Sequence, residues 1–407
     1  MNGIICLIMI GCVWTPLQSG TASQLNDVDF VDVNHGWVVG GVKNGNFNDA
    51  IILKTSNGGT TWNNVTPSYS FIDEFIDVSA IDSLLCYVTA ADTQSSPWIP
   101  YILKTTNGGN TWQILNAPYY TLPIHLHFIS PNIGWTAGEL DYQPMVLHTT
   151  DGGNTWVVQG WWDYNGGPCE VFFCNSQRGF VAGGTEDSPT TRGYIMTTTD
   201  GGNNWFESYH WGATIPYTWP LVEGVSFVDE FHGWACANLY GSINPYDERI
   251  IYTSDGGLYW DEIALISDTS IGRLHDIYMV DYSTGWVVCR GGDILHTTNN
   301  WTTWHLDTTN TTATLYAVDF PDPNHGYAVG SGGTILKYEH VSISEKPNDP
   351  KIVLNKIPNL FHNSALFIDK NFYLYDVTGK KLKGMNKNGI YFLKNKEGNK
   401  KFKFIKF

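Results

Sequence analysis

The stretch TTNGGNTW at 105–112 has close copies along the chain. They read TSNGGTTW at 55–62, TTDGGNTW at 149–156, TTDGGNNW at 198–205 and TSDGGLYW at 253–260, with a degenerate TTNNWTTW at 297–304. The fixed pattern is Ser/Thr, any residue, Asp/Asn, any residue, Gly, two more, then Trp. A short Asp or Asn side chain accepts from backbone N–H groups ahead of it and stabilises a turn. Gly permits a positive φ that other residues resist. The Trp is expected to anchor the following strand through a large buried ring. Each copy follows a β-rich run such as IILKT or YILKT, so the unit reads strand, tight hairpin, strand. Turn chemistry accounts for every fixed position, and Asn57, Asn107, Asp151, Asp200, Asp255 and Asn299 are therefore structural residues, not a repeated active site.

A second strand–turn–strand element precedes each box. It appears as FVDVNHGWVVGG from Phe30, then IDVSAIDSLLCYVTA, FISPNIGWTAG, FFCNSQRGFVAGG, FVDEFHGWACA, MVDYSTGWVVC and FPDPNHGYAVG. The two elements give four strands per repeat. The boxed Trp residues fall at 62, 112, 156, 205, 260 and 304, a period of 44–55 residues. Four-strand repeats of this length indicate an all-β, seven-bladed β-propeller.

Seven copies of one element and six boxes leave a blade incomplete. Its third strand is GTILKYEH at 333–340, with no Trp strand after it. The missing strand is expected at the other end of the chain. WTPLQSGTASQLNDVDF at 14–30 and WHLDTTNTTATLYAVDF at 304–320 share the spacing from Trp to Phe. An N-terminal strand around Trp14 would close the last blade and cover an edge otherwise open to aggregation.

The net charge of −16 is unevenly spread: from Val341 onward there are 14 Lys and 5 acids, a net of +9, leaving −25 on residues 1–340. So acidic a propeller argues against nucleic acid, because phosphate binding needs a basic face. In the tail the Lys residues are scattered through β-like alternation instead of forming a basic run. Cys86, Cys236 and Cys289 occupy equivalent strands singly and read as small buried hydrophobes. The spacing of Cys169 and Cys174 allows a disulfide without requiring one. No metal or cofactor is expected. Residues 1–12 contain the apolar run NGIICLIMIGC, which reads as a short or truncated signal peptide, with a lipoprotein-type Cys12 as the other reading. The remaining boundaries are a propeller at 13–340, a linker at 341–350 and a small C-terminal β-sandwich domain at 351–407.

The TxDGGxTW pattern resembles the Asp-box, or bacterial neuraminidase repeat. With WTPLQSGT and FVDVNHGWVVGG it looks like the photosystem II stability/assembly factor family of seven-bladed propellers. That resemblance implies a non-enzymatic protein that works by binding a partner, in that family through an arginine patch. LYDVTGKKL, GIYFLKN and KKFKFIKF resemble the C-terminal sorting domain of the type IX secretion system, which implies export to the cell surface or medium by the secretion machinery. PNLF at 358–361 departs from the usual PNPF of that domain.

Fold does not fix function, so the variable loops are expected to carry it. With strands numbered one to four from the axis, the insertions all fall in the two–three loops and four–one connections, which share the face opposite the boxes. The candidate binding residues there are Trp161, Trp162, Asp163, Arg192, Trp211, Trp219, Asp247, Arg249 and Arg273, with Arg290 on the same face. Aromatic and Arg anchors suit a glycan or a peptide. The expected protein is a secreted, monomeric, non-enzymatic propeller that binds a protein or glycan. The alternative is a secreted glycoside hydrolase of sialidase-like or xyloglucan-active type, using two of Asp141, Asp163, Glu186 and Asp247. A sialidase's Arg-Ile-Pro motif is absent, and no catalytic residues are assigned.

Overall fold

The computed structural model describes residues 14–42, 49–96, 98–115, 122–140, 143–162, 166–185, 191–213, 218–241, 248–268, 270–339, 372–376, 381–382, 389–395 and 401–406. The expected signal segment at 1–12 and linker at 341–350 lie outside them. Residues 14–339 form seven four-stranded antiparallel sheets. Their innermost strands are Leu25–Phe30, Glu74–Ala80, Leu122–Phe128, Gly166–Phe173, Thr218–Phe227, Leu274–Met279 and Leu315–Asp322. Each inner strand lies against the next, and the last lies against the first, so the sheets close into a seven-bladed propeller. Blades are numbered here from the one that begins at Leu25.

Every box is the hairpin between strands three and four, and its hydrogen bonds are local. In blade three, Thr149 Oγ1 accepts from the N–H of Gly153 at 2.9 Å and donates to Asp151 Oδ1 at 2.9 Å. Asp151 then accepts from the Thr155 N–H at 2.9 Å and the Thr155 hydroxyl at 2.6 Å, bonds that hold its carboxyl down at about 2. Gly153 sits at φ 85°, in left-handed space. The degenerate box keeps this geometry without glycine. Asn300 and Trp301 adopt φ 54° and 57°, and the Trp301 N–H still reaches Thr297 Oγ1 at 2.9 Å. Asn tolerates this region, whereas Trp does so at a cost, which the burial of its ring offsets.

The boxed Trp residues are less deeply buried than the sequence suggests. Trp156 and Trp260 are buried, but Trp62, Trp112, Trp205 and Trp304 are half-buried. Strand two carries an enclosed ring in every blade: Trp37, Tyr87, Trp135, Phe180, Trp234, Trp286 and Tyr327. Five of them stack on the strand-one Phe of the following blade. Trp135 lies 3.5 Å from Phe173 with planes 6° apart, and Tyr87 lies 3.6 Å from Phe128 at 4°. Phe180–Phe227, Trp286–Phe320 and Tyr327–Phe30 repeat the arrangement. The boxed Trp meets the same Phe edge-on, as Trp156 does Phe128 at 82°. Room for the Phe comes from the Gly that starts strand two. A Cβ on Gly134 would stand 2.5 Å from the Phe128 ring, and one on Gly36 2.6 Å from Phe30.

The last blade takes its outer strand from the N-terminus. Trp14–Leu17 pairs antiparallel with Thr334–Glu339, Trp14 facing Tyr338 and Leu17 facing Ile335. The Trp14 ring is fully buried against Tyr338 and Phe320. Its indole N–H donates to Asp307 Oδ2 of blade six at 3.1 Å, and its backbone N–H donates to the Thr308 carbonyl. Cys86, Cys236 and Cys289 are buried thiols in strands two, and Cys169 and Cys174 are also free, so that pair forms no disulfide. In the C-terminal unit, Lys381–Leu382, Phe372–Asp376, Gly389–Asn395 and Lys401–Lys406 form one antiparallel sheet in that order.

Two outcomes follow from this architecture. Replacing Thr149 with Val strands the buried Gly153 N–H and should cost about 1–3 kcal/mol, read as a lower urea midpoint with unchanged far-UV circular dichroism. Trp14→Ala empties a closed pocket and should cost about 3–5 kcal/mol. Deleting residues up to Ser19 bares the Thr334–Glu339 edge and should lower the melting temperature further or cause aggregation. A stable mature protein that begins at Gly20 or later would refute this account of closure.

Candidate functional site

The inner strands do more than pack. Along each one, alternate side chains point to the axis, because strand residues alternate faces. The upper set is Asp27, Asp77, His125, Glu170, Gly224, Asp276 and Ala317. Two residues further along come Asp29, Ser79, His127, Phe172, Ser226, Tyr278 and Asp319. Several of these side chains tie their blade to the next through a backbone amide. Asp27 accepts from the N–H of Val78, Asp29 from Ala80, Asp77 from Leu126, Asp276 from Val318 and Asp319 from Phe30. Ser79 and Ser226 do the same for Phe128 and Met279. The carboxylates thus serve as clasps around the ring.

The upper set opens into a cavity of about 760 Å³ on the face of the two–three loops. All seven blades contribute to its wall, which includes Asn26, Asp77, His125, Glu170, Trp219, Arg273, His275 and Tyr316. A volume of this size falls in the range of ordinary ligand sites, roughly 300–1,000 Å³. Arg273 is paired with Glu223, whose other oxygen lies 3.3 Å from His275 Nδ1. Asp27, Asp77, Glu139, Glu170, Glu223 and Asp276 line it against Arg273 among the described lining residues, so the funnel favours a cationic guest once these acids are ionised.

Burial governs the protonation of this funnel. It pushes the carboxyls of Asp29 and Asp276 up to about 7 and that of Asp77 to about 6. Asp27, Glu170 and Asp319 are raised well above the usual carboxylate range, again by burial first and by neighbouring acids second. Asp27 and Asp77 lie close enough that the protonation of each depends on the other. Burial holds the imidazoles of His125 and His127 down at about 4.

The sequence-designated residues divide between this funnel and its surroundings. Trp219, 44 % exposed, and Arg273 line the cavity. The other described candidates lie on outer strands. Trp161 is 62 % exposed and donates its indole N–H to Gln143. Trp162 packs edge-on against Trp205, so its ring serves packing there. Arg249 lies 4.3 Å over the Trp211 ring and pairs with Glu262. Arg192 pairs with Glu207 at 3.1 Å. Arg192, Arg249 and Arg273 are therefore held in separate ion pairs, while no ion pair is seen for Arg290 among the described residues. Asp163 and Asp247, with Asp141 and Glu186, fall outside the described residues. The funnel acids and His275 were missed by sequence reasoning. Their signal was the period-two spacing in DVDF, HLHF and HDIYM, which is legible only once these runs are known to meet at one axis.

The fold and this cavity define a seven-bladed propeller with an acidic axial funnel. No family model matches the chain. Over 81 residues it is 33 % identical to the photosystem II assembly protein Ycf48 of Synechococcus sp. (strain JA-3-3Ab), covering 19 % of this chain and 23 % of that protein. The match thus spans under a quarter of that relative's length. Among solved structures, Ycf48 bound to D1 peptide aligns with a TM-score of 0.59 at 19 % identity, over 80 % of this chain and 96 % of that one. Ycf48 from Cyanidioschyzon merolae gives 0.58 at 18 %, over 80 % and 98 %. An inactive virginiamycin B lyase from Staphylococcus aureus with quinupristin gives 0.58 at 13 %, over 81 % and 100 %. At these identities the structural likeness establishes the propeller fold alone.

The funnel carries a pH signature. Six carboxyls (Asp27, Asp29, Asp77, Glu170, Asp276 and Asp319) bind protons more tightly folded than unfolded, so rising pH through about 4–7 removes their stabilisation. The two depressed imidazoles act oppositely between about 4 and 6.5, but they are fewer. Melting temperature should therefore be higher at pH 5 than at pH 8. A melting temperature that rises steadily from pH 5 to pH 8 would contradict this.

Proposed function

We propose that this chain is a non-enzymatic binding propeller whose axial funnel receives an extended, cationic segment of a protein partner. The observation that carries this reading is the 760 Å³ cavity, walled by all seven blades and lined by six carboxyl groups. Trp219, Tyr316 and His275 offer flat faces for aliphatic stems and cations above those acids. The similarity to Ycf48 supports a protein partner, since one of those structures holds a peptide. A cationic guest is a departure from the arginine patch that the family resemblance implied. It follows from the pairing of Arg192, Arg249 and Arg273 with Glu207, Glu262 and Glu223.

Glycoside hydrolysis needs two carboxyls free to meet a sugar on opposite sides. At the axis Asp27, Asp77 and Asp276 instead spend an oxygen on the next blade's amide, which suits them poorly to that task. The loop carboxyls of the hydrolase alternative, Asp141, Asp163, Glu186 and Asp247, lie outside the described residues, and a chromogenic glycoside assay decides on them. The export reading is retained as part of the proposal on sequence grounds alone, namely the apolar run at 2–12 and the resemblance of the tail to a sorting domain. Sequencing the mature N-terminus of protein from the culture medium tests it, and retention in the cytosol would overturn it.

The binding proposal is tested by calorimetry with a Lys-rich decapeptide, a Glu-rich decapeptide and a xyloglucan oligosaccharide. The Lys-rich peptide should bind, and its affinity should fall steeply with salt. Trp219→Ala should weaken it by about tenfold, equivalent to roughly 1.4 kcal/mol. Preference for the Glu-rich peptide would overturn the cationic guest, preference for the oligosaccharide would restore the glycan reading, and turnover of a chromogenic glycoside would restore the enzyme.

A further inference from the structure

Blade six differs from its sister blades at one spot. His296 on strand three faces His305 on strand four, and Asp307 lies two residues beyond. His296 Nδ1 lies 3.4 Å from Asp307 Oδ1, and His305 Nε2 lies 3.3 Å from the same oxygen. One nitrogen from each imidazole and one carboxylate oxygen all fall within 4.8 Å of one another. His296 and Asp307 are buried, while the His305 side chain is 57 % exposed. His296 Nε2 has no hydrogen-bond partner among the described residues and Nδ1 has only the long contact with Asp307, although both are shut off from solvent. A buried imidazole left in this state is costly unless something else occupies it.

Blade three supplies an internal comparison. There His148 stacks on Trp135 at 4.6 Å, as His296 stacks on Trp286 at 4.4 Å. His148 faces Val157 in the same register, and Gln159 takes the indole N–H of Trp135 as Asp307 takes that of Trp286. The stack therefore forms in blade three without an acidic pair beside it. The His305 and Asp307 pair, in place of Val157 and Gln159, is not.

We propose that His296, His305 and Asp307 bind a divalent transition-metal ion of the zinc class. Two imidazoles and a carboxylate are a common donor set for zinc, which forms bonds of about 2.0–2.1 Å, so that tetrahedral ligand atoms stand roughly 3.3–3.4 Å apart. The two measured separations match this spacing, and adjusting the exposed His305 ring closes the third. The supporting contacts are already made. Asp307 Oδ2 accepts from both Trp14 and Trp286 at 3.1 Å, leaving Oδ1 turned to the histidines, and the Trp286 stack fixes the His296 ring. The exposed side of His305 is the way in, and it leaves a fourth position for water. Because Asp307 also holds Trp14, the ion would brace the strand that closes the ring.

The test uses the full chain, stripped with EDTA and dialysed. Zinc titration by calorimetry should give one site per chain, and bound cobalt(II) should show the visible absorption of four-coordinate geometry. Zinc should raise the melting temperature, and EDTA should reverse the rise. His305→Ala, at an exposed position, should weaken zinc by more than the roughly 10–100-fold that losing a supporting contact costs. Asp307→Asn keeps an oxygen for the indoles and should weaken zinc likewise. His35→Ala, on the surface of blade one, should bind as the parent does. Absence of stoichiometric binding would overturn the proposal, as would zinc affinity unchanged in both His305→Ala and Asp307→Asn.

Discussion

The ring holds together because an aromatic side chain on strand two of one blade lies flat on the strand-one Phe of the next. Trp135 on Phe173, Tyr87 on Phe128 and Tyr327 on Phe30 are the same contact at three seams. A blade by itself is a small twisted sheet with two apolar faces. Stacking blades buries those faces, and the rings set the distance between neighbours. Much of the rest follows from that spacing. The strand-two glycines exist because the Phe ring fills the space a Cβ would take. The acids at the axis can reach the next blade's amides because the stack fixes how close the inner strands come.

Where the contact is missing, the substitutions are instructive. Trp37 has Ala80 opposite it instead of Phe, and Trp112 of blade two fills the space edge-on at 6.0 Å. Trp234 has Met279, and Trp301 from the degenerate box joins the same cluster, its indole N–H 3.3 Å from the Met279 sulfur. The oddest box therefore sits at a seam that needed another ring. Its left-handed Trp301 is a local strain supported by a non-local packing demand.

What could be read in the sequence was what is settled locally. A Thr-x-Asp-x-Gly turn makes its bonds within five residues, so six boxes announced six hairpins, and matched Trp-to-Phe spacing indicated the closing strand. Distances around the ring were not legible. Asp27 meets Asp77, and Arg273 meets Glu223, only because blades some fifty residues apart in sequence converge at the axis. The deepest tryptophans were misplaced for the same reason. The box Trp is conspicuous as part of a motif, but its burial depends on a neighbouring blade. Arg192 and Arg249 have their carboxylate partners on the neighbouring strands, which no spacing rule reveals.

The closing strand also sets a clock. Trp14 leaves the ribosome well ahead of its partner Tyr338, which emerges 324 residues later. At roughly 5–20 residues per second, that is on the order of 15–65 s of synthesis. Throughout it a strand that seeks a sheet edge has none of its own. The segment is suited to waiting: it is four residues long, and Pro16 removes one of its amide donors. Short, proline-bearing edge strands are poor templates for pairing with a stranger. Brevity that looks like a weak hold in the finished ring is thus a safeguard during its making.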